Sequence, residues 1–509
     1  MMKKVLSCLI VLTALSECVS AQDEFDALRY SNAAYQGTAR GIGIGGAVGS
    51  IGADFSALSV NPAGIGIYKT NELMFTPSFN VSSNNSSYLG GQSSATESKL
   101  NLMNFGLVLS SDLKSRYKES KWKTFNFGVG MNRVTTFKNE FIYAGKNNSN
   151  SLIESFADDF NSYGGINSTS LNSVNFSAYG AWETYLIDKG QGVDSFKAVS
   201  YVPYAAGLNQ SKKVTEKGGM TEYLVSVGGN YMDKLMLGAT MGIFNIDYDR
   251  TMQFSEEDIS GDLTNDFKYF TYTERLTTTG TGINLKLGAM YKPNANMRFG
   301  LALHTPTHIE LNDASSISMV SHTDSLYLQL PTVTGPVNSY NQDSALVFNY
   351  SLNTPYKALV SGMFLFGKRG FVTADIEYLN YASMKYNYGE GYENATNAIN
   401  NVIQNMYKEA VNIRIGAEAK LSNFCLRSGF GYYGSPYQTT SQFSQGDKTI
   451  ISGGIGYREQ NWFIDATYSH STQRTIDIPY VLARADANVQ QATIKNGVSN
   501  VLVTFGVKF

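Results

Sequence analysis

Along most of the chain, apolar and polar side chains alternate one by one. In "TFNFGVGMN", Phe125, Phe127, Val129 and Met131 face one way, and Asn126, Gly128, Gly130 and Asn132 the other. "GINLKLGAMY" repeats this with Ile283, Leu285, Leu287, Ala289 and Tyr291 against Gly282, Asn284, Lys286, Gly288 and Met290. "NMRFGLALH" sets Met297, Phe299, Leu301 and Leu303 against Arg298, Gly300, Ala302 and His304, and the final segment adds Val503, Phe505, Val507 and Phe509. Side chains alternate across a strand, so this period predicts strands with one apolar and one small or polar face. A soluble sandwich turns the apolar face inward. A membrane barrel turns it outward to lipid, around a polar lumen.

Spacing separates these two cases. Strands are expected near 71–82, 99–110, 122–137, 219–230, 233–249, 267–292, 295–311, 345–367, 369–386, 408–421, 424–434, 447–458, 461–472 and 497–509. That makes about fourteen, the even count of single-chain outer-membrane barrels. Short connections ("YMDK", "KPNAN", "GKRG", "LSN", "REQN") alternate with long ones at 138–218, 250–266, 312–344, 387–407, 435–446 and 473–496. Short periplasmic turns and long outer loops belong to a barrel; a sandwich has no reason to sort loops by end. The predicted fold class is therefore all-β, a transmembrane antiparallel β-barrel.

The start of the chain fits export. Lys3 and Lys4 precede the apolar run Val5–Leu15, and Val19-Ser20-Ala21 forms a small-residue cleavage site, so residues 1–21 read as a signal peptide. No later apolar run approaches the ~20 residues of a membrane helix. Cys8 and Cys18 fall in the signal, which leaves Cys425 alone, with no intrachain disulfide and no cysteine-based metal site. Without Lys3, Lys4 and Glu17 the chain carries 38 basic and 41 acidic side chains, so no basic face for nucleic acid is expected. The expected location is the outer membrane of a Gram-negative bacterium.

Gly41, Gly43 and Gly46 spell G-x-G-x-x-G, yet no buried strand precedes them as a dinucleotide-binding turn requires. The motifs G-x-S-x-G, H-E-x-x-H and the P-loop are absent, so no enzyme, catalytic residue, metal or cofactor is expected. A TonB-dependent transporter would need more strands and a larger plug than residues 22–70 supply.

Those residues carry a resemblance. "SNAAYQGTARGIGIGGAVGSIGADFSALSVNPAGIG", with Asn61, Pro62, Ala63 and Gly64 at its NPA-type motif, is similar to the FadL/TodX family of outer-membrane transporters for long-chain fatty acids and other hydrophobic compounds. Asp54 and Ser56 match the acidic and small-residue pattern just before that motif. Further echoes lie in 125–141, 298–312, 354–386 and 426–438, while 142–217 looks like a loop insertion. The resemblance implies a monomeric barrel (71–509) with an N-terminal hatch (22–70) inside, capture of a hydrophobic small molecule at the outer loops, and lateral exit to membrane lipid near a kinked third strand. Hatch glycines Gly41, Gly43, Gly45, Gly46 and Gly49 suit compact folding in a narrow lumen. The third strand's kink candidates are Gly128, Gly130, Asn132 and Arg133, because glycine in a strand often marks a bulge or a close approach.

Lumen candidates for a ligand's head group are Arg298, His304, Lys357 and Arg414, with an ion pair to Asp375 or Glu377 as the alternative. His304 also keeps a haem reading open. A structural or adhesive barrel without transport is the other rival, since fold does not imply function. Two loop helices are expected, at 151–160 and 398–410; their apolar faces form either a ligand funnel or loop packing. The C-terminal strand ending in Phe509 resembles the signal that such barrels show to their assembly machinery.

Overall fold

The computed structural model describes residues 23–509 except 33, 114–119, 163–174, 191–195, 325–334, 343–344 and 485–487. The expected signal peptide lies outside the described residues. Residues 23–70 form helices α1 (Glu24–Ser31) and α2 (Ala39–Gly43) and two 3-10 turns, Phe55–Ser59 and Pro62–Ile67. Polar caps start both helices: Asp23 accepts from Asp26 N, and Thr38 from Gly41 N.

Fourteen passes then close into one antiparallel barrel. They begin with β1 (Glu72–Tyr88), β2 (Gly91–Asp112) and β3 (Trp122–Thr136), continued by β4 (Asn139–Asn147). After the loop hairpin β5 (Ile187–Lys189) and β6 (Ala198–Ser200) come β7 (Leu208–Tyr231), β8 (Leu235–Asp258) and β9 (Tyr269–Tyr291). Three broken passes follow. They are β10 (Met297–His304) with β11 (His308–His322), then, after the short β12 (Val337–Asn341), β13 (Leu346–Asn353) with β14 (Lys357–Leu365), and β15 (Gly370–Asn380) with β16 (Lys385–Asn387). The ring ends with β17 (Glu409–Leu421), β18 (Phe424–Tyr433), β19 (Lys448–Arg458), β20 (Trp462–Asp477) and β21 (Ala492–Lys508). β21 pairs with β1, Glu72 opposite Lys508, so no edge remains there.

The outward face is apolar, with Leu237, Met241 and Ile243 on β8 and Leu285 and Leu287 on β9 exposed. Aromatic rings gather near the turns, as Trp122 meets Tyr231 and Tyr457 meets Phe424 and Trp462. A second set, Tyr223, Tyr378, Tyr432 and Tyr468, lies toward the opposite margin. Two aromatic girdles around an apolar band mark the bilayer's interfaces.

Pairing runs beyond the expected strand ends on the long-loop side. β7 and β8 have 24 residues each, and the first hairpin continues to Tyr88↔Gly91. The expected 142–217 insertion shrinks accordingly: Asn147 pairs with Leu208, so only 148–207 stand outside the wall. Above the membrane neither strand face meets lipid, so the alternation that announces a strand fades there. Helix α3 (Leu152–Ser162) buries Leu152, Ile153, Phe156 and Phe160 against a cluster that includes Phe254 and Phe270. Helix α4 (Phe176–Glu183) caps the same cluster with Ala178 and Ala181. Helix α5 (Glu393–Met406) buries Ile399 and Ile403 in a cluster shared with Leu28 and Tyr30 of α1. Both expected apolar faces are buried, the first on strand residues and the second on α1, and the second helix lies a turn earlier than the expected 398–410.

Candidate functional site

The hatch is seated by glycines of the wall. Inward Gly106 and Gly130 leave the space that the Phe55 ring fills, and Gly128 lies against Leu58 and Ile65. A Cβ on Gly288 would overlap the Asn61 side chain, and one on Gly238 the Pro62 carbonyl. On the opposite wall, Gly416 and Gly429 make room for Ile44 and Gly45. These close approaches put hatch backbone directly against strand backbone.

The NPAG motif holds this arrangement. Asn61 Nδ2 donates to Gly49 O at 2.7 Å while its Oδ1 accepts from Ala63 N at 3.1 Å. Pro62 begins the 3-10 turn, where its missing N–H costs nothing. Ala63 is fully buried against Met236 and Met290, and Gly64 O accepts from Ala53 N. Gly45 and Gly46, at φ +69° and +77°, make the left-handed turn after α2. Gly41 lies against Tyr35, Gly43 against Thr467 and Arg427, and Gly49 against Leu359 and Ser361. Asp54 ties the segment together, accepting from Thr38 Oγ1, Ser56 N and Ser56 Oγ.

Beneath α2 lies a buried charge chain that the sequence did not reveal. Arg40 pairs with Glu418, which also accepts from Arg427 at 2.7 Å; Arg427 reaches Asp465 at 2.7 Å, and Asp465 accepts from Arg458 at 2.9 Å. Alternation puts Arg427 and Asp465 on inward faces, but no local spacing joins residues from five separate segments.

Above the hatch lies a cavity of about 110 Å³, lined by Tyr30, Tyr35, Val60 and side chains of β3, β7, β8, β9, β10, β14, β15 and β17. Arg133, Glu222, Lys286, Lys357, Glu377 and Arg414 all reach it. Lys286 pairs with Glu222, and Arg414 with Glu377 (3.5 Å) and Asp375 (3.6 Å). Arg133 and Lys357 have no carboxylate within 4 Å among the described residues. Arg133, Lys286, Lys357 and Arg414 face Glu222, Glu377 and Asp375, which leaves one cation in excess.

Two lumen candidates hold the N-terminal segment, Arg298 away from the cavity and His304 while also lining it. Arg298 donates to Ile51 O at 2.6 Å, and His304 Nε2 donates to Val60 O at 2.8 Å. The other three histidines are engaged elsewhere, His308 with Asn353, His322 beside Asp324 and His470 with Ser499. No group of three or more metal-ligating side chains occurs among the described residues.

The third pass is where the strand ladder is interrupted. β2 and β3 pair in regular register from Asp112↔Thr124 up to Asn104↔Asn132, and there the pairing stops. Gly128 and Gly130 lie inside this paired stretch, so as kink candidates they are corrected: they seat hatch side chains. Against β7 the register shifts at Trp122/Thr124, near the turn, and at Arg133/Thr135, just before the break between β3 and β4. Residues 133–147 stay paired with β7 only, and 91–103 with β1 only. The seam closes again at the top, where Tyr88 packs on Tyr143 and Asn84 donates to Asn139. Between these limits is a seam without a ladder, bridged by Lys138 to Glu97 and to Ser98 O. Behind it lies a 280 Å³ cavity lined by Arg29, Asn80, Lys99, Phe137, Lys138 and Asn496, among others. Tyr30 and Phe137, rings edge to face at 6.0 Å, stand between this cavity and the central one.

Helix α1 closes the lumen from the loop side. Tyr386 and Tyr407 donate to the Asp23 and Glu24 carbonyls, Phe25 packs on Phe443, and Arg29 lies 4.3 Å over the Tyr248 ring. Burial, and secondarily the charge of Asp23, pushes the Glu24 carboxyl up to about 7.

Known structures share this architecture. A Pseudomonas aeruginosa FadL homologue superposes with a TM-score of 0.56 at 15% identity, over 93% of this chain and 99% of that one. The P. putida toluene transporter TodX gives 0.53 at 13% identity, over 94% and 99%. Among curated proteins, none is similar in sequence to this chain. The family model of outer membrane protein transport proteins (OMPP1/FadL/TodX) matches residues 17–509, nearly the whole length. A closed barrel, an inward N-terminal segment and that match give one conclusion: the chain belongs to the OMPP1/FadL/TodX family, an outer-membrane transport protein and not an enzyme.

Proposed function

We propose that the protein takes up hydrophobic acids of the long-chain fatty acid class and releases them sideways into the outer membrane. The observation that supports the reading is the missing ladder between β2 and the β3–β4 pass, with a cavity directly behind it. The hatch cannot serve as a trapdoor without breaking its wall contacts and the Arg40–Glu418–Arg427–Asp465 chain. In a low-dielectric lumen, one excess cation favours a monoanionic head group, and an Arg or Lys bond to a carboxylate is among the stronger hydrogen bonds. Arg133 and Lys357 hold the carboxylate, and the chain leaves past Tyr30 and Phe137. A purely structural barrel has no use for a half-unzipped pass. In the haem reading, the one lumen histidine is already bound to the hatch.

The test is uptake of radiolabelled fatty acid by cells lacking their own transporter. They would express the parent or a Ser98→Cys/Lys138→Cys pair joined across the seam by a reducible bifunctional thiol reagent. Uptake that continues in the treated parent, stops in the cross-linked pair and returns on reduction supports lateral exit. Uptake unaffected by the staple refutes it, and no uptake by correctly inserted parent removes fatty acids as the substrate.

A further inference from the structure

The lipid-facing wall below the seam is concave. A groove of 560 Å³ crosses β2, β3, β7 and β8 on the outside of the barrel. Its rim is Leu102, Phe105, Met131, Tyr223, Met241 and Ile243, and Gly130 and Leu224 form its floor. No charged side chain lines it. Its upper end touches the seam, because Leu102 and Met131 flank the last β2–β3 pair, Asn104↔Asn132. Leu100, 75% exposed at the seam's edge, continues the apolar track upward.

Level matters here. Met131 pairs with Tyr223, one of the ring of tyrosines at the loop-side margin of the apolar band. The unladdered seam starts two residues higher, so its lower edge sits at the interface, where headgroups begin. An alkyl chain leaving there must cross this belt to reach hydrocarbon. A convex barrel wall would offer lipid only, but here four strands share a dent that leads downward from the opening.

We propose that this groove is a receiving site for one hydrocarbon chain of the released ligand, which guides it from the seam into the outer leaflet. The proposal rests on the lateral-exit reading above. The occupant is the ligand and not a resident lipid, because the groove is continuous with the seam and spans the strands flanking it. Apolar contact holds the chain there, with no polar partner to retain it, so the site is one of passage.

The experiment uses the full-length protein in vesicles with a long-chain fatty acid that carries a photoreactive diazirine in its tail. Adducts are mapped after illumination, and release into the vesicles is timed for the parent, Val129→Trp and Met241→Trp. The expected result is adducts concentrated on Met131, Tyr223 and Met241, and severalfold slower release in both tryptophan variants with lumen binding unchanged. Adducts spread equally to Ile376 and Ile413 on the far wall would mean simple partitioning and overturn the groove. So would labelling by a photoreactive phospholipid that excess fatty acid does not displace. The Ser98→Cys/Lys138→Cys staple separates the two readings. If it blocks release while the groove variants behave as the parent, only the groove falls. If stapled protein still releases ligand, lateral exit and groove fall together.

Discussion

Lys138 reaches across the open seam to Glu97, with Nζ 2.6 Å from the carboxylate, and donates to Ser98 O at 2.7 Å. Both side chains are more than a quarter exposed, which puts this tie among pairs worth about 0.2–1 kcal/mol. It is a catch weak enough to open thermally. Lys138→Met is therefore expected to speed release by up to about fivefold, the factor that 1 kcal/mol represents. High salt should speed the parent and leave the variant unchanged. Stopped-flow release of a fluorescent fatty acid from proteoliposomes measures both.

The cavity's unpaired cations predict a head-group preference. Lys357→Met removes one donor to a charged acceptor, worth about 1.5–3 kcal/mol, so the fatty acid should bind roughly ten- to a hundredfold more weakly. The methyl ester, with no charge to hold, should bind the parent and the variant alike. Isothermal titration with acid and ester reads the difference, and equal losses for both would remove Lys357 from the head-group site.

Wall glycines predict a stability contrast. Gly288→Ala forces a methyl group into the Asn61 side chain and should loosen the hatch, seen as proteolytic clipping before residue 70 and a lowered melting point. Gly453→Ala is the control, because its nearest neighbour, Arg427 O, is 3.8 Å from the added atom. It should melt within a degree or two of the parent.

Glu24 predicts how α1 responds to pH. Its carboxyl stands near 7 in place against an ordinary 4.5, so the seated form favours the neutral acid. Seating is firmest below pH 4.5, weakens as pH rises to about 7, and is constant above that. Hydrogen exchange over residues 23–31 should quicken from pH 5 to 7, after correction for the intrinsic rate. In Glu24→Gln this quickening should shrink, with the neighbouring Asp23, itself raised by burial, supplying what pH dependence remains.

Period-two alternation made the barrel legible, because lipid on one side and lumen on the other impose opposite demands on neighbouring residues. It failed where that contrast ends. The stretch 208–218, "LNQSKKVTEKG", is polar on both faces, so strand and loop look alike there. At strand three the glycines left a bulge and a close approach both open, and only the partner segment decides: Gly130 admits Phe55, and Gly128 lies against Leu58 and Ile65. Lys357 and Arg414 could be placed inside from strand phase alone. That Arg414 is paired and Lys357 is not depends on which strands become neighbours, which no single segment encodes. Glu97 and Lys138 escaped notice for the same reason.

The contacts of Gly288 with Asn61 and of Gly429 with Gly45 constrain the order of assembly. Strand backbone and hatch backbone meet on several sides of the lumen with no side chain between them to swing away. A finished cylinder would leave no clearance for the N-terminal segment to thread in and find those seats. The segment must already be in position when β1 and β21 zip together, so biogenesis wraps the wall around the hatch.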